Sequence, residues 1–127
     1  MKYLIMMNFS YGGWKNDSIY TWPKEDVQRH MDHLNSMNQE MTDRGELVSI
    51  SALQPPDEAR LVTAQTGKQP LIVDGPFADT KEFLAGFWVV DVDSLDRACE
   101  IAARASAGPG PGGKPLNMTI EVRALQS

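Results

Sequence analysis

The 127 residues are 42% hydrophobic and 23% charged, the balance of an ordinary globular protein and enough chain for one domain, residues 1–127, with a real core. A net charge of −5 argues against nucleic acid, whose phosphates want a basic surface, and no apolar run approaches the roughly 20 residues that span a bilayer. The one cysteine excludes an internal disulfide and fits a cytoplasmic setting, and the short apolar start, met at once by Asn8, is not expected to be a signal peptide.

Residues 2–8 form a near-continuous apolar run and predict a central strand. A loop with Gly12, Gly13, Asn16 and Asp17 follows. Pro23 suits the first position of a helix, and Glu25 and Asp26 favour the positive end of its dipole. Val27, Met31, Leu34, Asn38 and Met41 recur at three and four residues, so the apolar face of this helix is expected there, and Gly45 is expected to end it. Residues 46–53 alternate as a half-buried strand until Pro55 and Pro56 stop it. Residues 60–64 and 69–73, around Thr66, Gly67 and Lys68, read as a hairpin. Residues 86–92 predict a further strand, and Asp93 or Ser94 caps a second helix whose buried face holds Leu95, Ala98, Cys99 and Ala102. The glycine-proline stretch 108–113 reads as a flexible connection, and 117–124 as the last strand.

The order strand, helix, strand, hairpin, strand, helix, strand matches an α+β, ferredoxin-like βαββαβ fold with an inserted hairpin. Two helices on one face leave the other face of the sheet bare, and a homodimer is the simplest way to cover it.

Three segments carry a family likeness. The first is Val73-Asp74-Gly75-Pro76-Phe77-Ala78-Asp79-Thr80-Lys81-Glu82, with Asp79 where the family usually has Glu. The second is Gly86-Phe87-Trp88-Val89-Val90-Asp91-Val92-Asp93-Ser94-Leu95-Asp96, and the third is Ile120-Glu121-Val122-Arg123, with Ala124 where the family commonly has Pro. Over nearly its whole length the chain resembles the YCII-related family, in its DGPF branch. The resemblance implies a dimeric α+β barrel, related in architecture to muconolactone isomerase and small monooxygenases. It also implies an active His–Asp pair, a likeness in one branch to a dehydrochlorinase, and an encoded neighbourhood that includes alternative sigma factors.

Asp74, at a strand end before the Gly-Pro break, is the leading candidate for acid–base work; its other reading is a side chain that caps its own turn. His30 and His33 share the first helix, His30 toward the side of its apolar face and His33 further toward solvent, and either could supply the family's imidazole. Their spacing of three, with Asp26 four before His30, is also the spacing of two metal ligands, but no sharper motif accompanies it, and neither a metal nor a cofactor is expected. Trp14 and Trp22, with Tyr11 and Tyr20, either line a small-molecule pocket or lid the core. Phe77, Phe83, Phe87 and Trp88 are expected in the core and at the dimer face, and Cys99 as a small core residue. Arg123 could hold an organic acid or pair with a surface carboxylate. Two functions follow: a cofactor-free enzyme for an unidentified small molecule, with isomerase- or lyase-type proton transfer by Asp74 and one helix histidine, or a non-catalytic binding or regulatory protein linked to a sigma factor.

Overall fold

A computed structural model describes residues 1–12 and 19–126. Its main sheet holds β1 (Lys2–Ser10), β2 (Leu47–Ala52), β5 (Glu82–Asp91) and β6 (Ile120–Ala124), in the order β2-β5-β1-β6 with every neighbouring pair antiparallel. Helices α1 (Lys24–Asp43) and α2 (Leu95–Ser106) make the crossovers, which is the ferredoxin-like arrangement expected from the element order. The hairpin of β3 (Arg60–Thr63) and β4 (Leu71–Asp74) forms a separate two-stranded sheet inserted before β5.

One face of the sheet and the two helices enclose the core. Ile5, Val90 and Trp88 meet Met37 and Met41 of α1 and Ala98, Ile101 and Ala105 of α2. Asn38, the polar residue in the predicted apolar stripe, is explained by the Trp88 indole, which donates to its Oδ1 at 2.8 Å. The stripe itself is turned from its expected position. Asp26, His30, Met37 and Met41 are the buried residues of α1, Leu34 is half-buried, and Met31 is exposed. Asp26 and His30 displace the stripe because both have polar partners in the segment that follows α2, a long-range term that hydropathy does not contain. The end of α1 is as expected. Gly45 has φ +73°, Gly45 N–H donates to Thr42 O at 3.0 Å and Glu46 N–H to Met41 O at 2.8 Å, the paired bonds of a Schellman cap.

Helix α2 starts where expected, with Ser94 Oγ accepting from Arg97 N–H at 3.1 Å. Its buried face is Ala98, Ile101, Ala102 and Ala105; Leu95 and Cys99, expected inside, are exposed. The face is centred on Ile101, which sits three residues beyond Ala98 and four before Ala105 and so pulls the stripe away from Leu95. Strand β5 begins at Glu82, four residues before its expected start. Strand β2 is an edge strand with a register shift between Leu47 and Ser49, so Val48 and Ile50 are exposed despite their alternation. Phe77, expected with Phe83, Phe87 and Trp88 in the core and at the dimer face, is not in the core of the chain and is 65% exposed.

The largest departure is the segment expected to be a flexible connection. Gly108 and Gly110 are buried, Gly110 N–H donates to Lys114 O at 2.7 Å, Leu116 N–H donates to Gly108 O at 2.9 Å, and Pro111–Gly113 is a short 3-10 turn. Asp26 Oδ2 accepts from Gly112 N–H at 3.3 Å and Asp26 Oδ1 from Arg29 at 3.0 Å. The Gly112–Asp26 bond and that between His30 and Pro109 hold the segment against α1. Glycine and proline here mark a specific backbone path rather than freedom.

Candidate functional site

A cavity of about 490 Å³ opens between α1 and one end of the main sheet, a volume ordinary for small-molecule sites. The sheet end is shaped by a bulge. Met7 pairs with Gly86 and Asn8 with Leu84, leaving Ala85 as an extra residue on β5. Phe9 and Phe83 pair beyond this bulge, pack edge to face at 6.1 Å and form part of the wall. Gly86 is required at the bulge: a Cβ there would lie 2.9 Å from the Ser51 carbonyl oxygen.

His30 lines the cavity from α1 and is 3% exposed. Trp22 meets the ring edge to face at 5.7 Å. His30 Nδ1 lies 3.0 Å from the Pro109 carbonyl oxygen. A carbonyl only accepts, so Nδ1 carries the proton and donates it. Among the described residues no buried side-chain nitrogen or oxygen lacks a partner, and Nε2 has no hydrogen bond there, so Nε2 is not sealed off, and the ring it belongs to lines the cavity. Burial holds the imidazole below its ordinary value of 6.5; the Pro109 bond opposes this, and the neighbouring His33 adds to the lowering. At neutral pH the ring is uncharged and presents a lone pair.

His33 is half-buried, and its Nε2–H donates to the Arg104 carbonyl at 2.8 Å, tying α1 to α2. It does not line the cavity. Asp74 is the last residue of β4, with its side chain 88% exposed and 3.4 Å from Arg60 Nε across the hairpin. The structure therefore does not bring Asp74 to either histidine of the chain. Arg123 is on β6, paired in register with Leu4 on the face away from the helices, and reaches Glu121 at 3.9 Å. Trp22 and His30 do come together. Trp14 lies outside the described residues. Among the described residues no group of three His, Cys, Asp or Glu could hold a metal ion.

Sequence reasoning missed Pro109. Its signal was the buried polar pair Asp26 and His30, spaced four apart on a helix: two such groups on one face call for partners from elsewhere in the chain. It also missed the cavity walls Phe9 and Phe83, whose convergence depends on the bulge.

The fold is an α+β sandwich with one helical layer. The YCII-related domain matches residues 1–109, and the chain belongs to that family. It is 36% identical over 113 residues to an uncharacterized protein of Rhizobium meliloti (strain 1021), covering 87% of this chain and 86% of that one. No helix among the described residues is long and apolar enough to cross a membrane.

Proposed function

We propose that the protein binds a small, largely apolar molecule in the cavity beneath α1, and that His30 Nε2 is the proton acceptor there in cofactor-free isomerase- or lyase-type chemistry. The observation that supports this is the uncharged imidazole whose Nδ1 is committed to Pro109, whose Nε2 is left without a hydrogen bond among the described residues, and whose ring lines the cavity. A neutral base near physiological pH is the form that proton abstraction needs. His33 acts by tying the helices, and Trp22 by packing against the His30 ring. Within this reading the chain is one unit of the DGPF branch, works in the cytoplasm and assembles as a homodimer through the sheet face opposite the helices. Half-buried Leu4, Met6, Phe87 and Val89 on that face support the dimer.

The position of Asp74 favours a second reading. Without a carboxylate at the imidazole within the subunit, the cavity is a binding site, and the protein reports the ligand to a partner, such as a sigma factor. A small-molecule library screened by mass spectrometry for conversion, with native protein and His30→Leu, separates the two. Turnover lost in His30→Leu while Asp74→Asn retains it supports the first reading. Ligand binding without conversion supports the second.

A further inference from the structure

The cavity is lopsided in its chemistry. Its walls are Met7, Phe9, Trp22, Leu34 and Phe83, with the acceptor of His30 at one point. The other polar side chains that line it are Tyr20 and Gln54, and among the described residues no Lys, Arg, Asp or Glu does. An anion entering this space would lose water and, among the described residues, meet no cation to replace it. A neutral hydroxyl would instead find a fixed acceptor. The acceptor cannot turn away, because rotation of the ring would break the Pro109 bond and the Trp22 contact.

We propose that the cavity selects uncharged, largely apolar molecules carrying one hydrogen-bond donor, which they give to His30 Nε2, and that it rejects carboxylates and phosphates. This rests on the cavity reading above and adds the ligand class to it. The glycine segment 108–115 is part of the selection. It supplies the carbonyl that fixes the tautomer, and Asp26 holds it in place through Gly112 N–H. With the proton on Nε2 instead, the same ring would be a donor and would favour acceptors.

The test uses three probes of nearly one shape: 4-ethylphenol, its methyl-ether counterpart 4-ethylanisole, and 4-ethylbenzoate. Each is titrated calorimetrically into the full chain at about pH 7.5, where an imidazole of this kind is neutral. The phenol is expected to bind about tenfold tighter than the ether, the worth of one buried hydrogen bond, and about a hundredfold tighter than the benzoate. In His30→Leu the phenol and the ether should bind alike. Nitrogen NMR on the unmodified protein gives a second measurement that does not depend on that variant folding: the Nε2 resonance should move with the phenol and stay with the ether. Benzoate binding as tightly as the phenol, or an ether indistinguishable from it in the native chain, overturns the ligand class and leaves the cavity reading standing. Failure of all three to bind overturns both.

Discussion

His30 is an ionisable group placed among apolar walls, and its titration should be visible in stability. Burial lowers its native pKa below 6.5, so the unfolded chain takes up this proton first. Stability from this group is fully present above about pH 6.5. It is lost as pH falls toward the lowered native value, and the loss levels off once both states are protonated. Urea unfolding from pH 8 to 5 should show this decline in native protein and a flatter profile in His30→Leu. Glu46 is also shifted downward, but because its charged form is the one held. Arg97 donates to both of its oxygens, at 2.8 and 2.9 Å, and these bonds hold the carboxyl below its usual range. Glu46→Gln takes one of three acceptors, and the charge of Glu46, from a largely buried guanidinium and should cost about 2–3 kcal/mol by chemical denaturation at neutral pH. Asp74→Asn, at a side chain open to solvent, should change stability by less than about 0.5 kcal/mol, measured in the same way. The sequence showed where charge and imidazole lie along the chain but not what they meet. His30 is 79 residues from Pro109, and Asp26 is 86 from Gly112. No local pattern encodes either distance.

At the scale of elements, the bulge between β1 and β5 is the piece that makes a cavity out of a sheet end. Gly86→Ala tests it. The clash falls on the Ser51 backbone rather than on a flexible side chain, so the strands must part, at a cost of about 1–3 kcal/mol. Thermal unfolding should show the loss, and the fluorescence of Trp88, two residues along β5, should change with it. Elements with strong local signals were legible: the Ser94 cap, the Gly45 terminus, the hairpin and the β1 run all lie within about two residues of where the chain suggests them. The orientation of each helix was less legible. The buried arc of α1 is set by Asp26 and His30, which hydropathy counts as surface residues. The segment 108–113 was misread for a related reason. Glycine and proline announce that the chain leaves regular structure, and they do not say whether it is then held.

At the scale of the whole molecule, a single helical layer leaves one face of the sheet without a second layer. Leu4, Met6, Phe87 and Val89 are only half-buried there. If this face joins two copies, Met6→Lys places a charge at its centre and should convert the dimer to monomer in analytical ultracentrifugation, with the helix-side core unaffected. A native chain that sediments as a monomer removes the proposed dimer.

The bond between His30 and Pro109 also bears on the order in which the molecule is made. A ribosome that has released residues 1–106 has delivered both helices and three of the four main strands, but neither the Pro109 carbonyl nor Gly112. Until then the imidazole has no Pro109 carbonyl to fix its proton on Nδ1. The side chain is thus made 79 residues before the carbonyl that turns it into a fixed acceptor, so a chain stopped between the two carries the residue without the property.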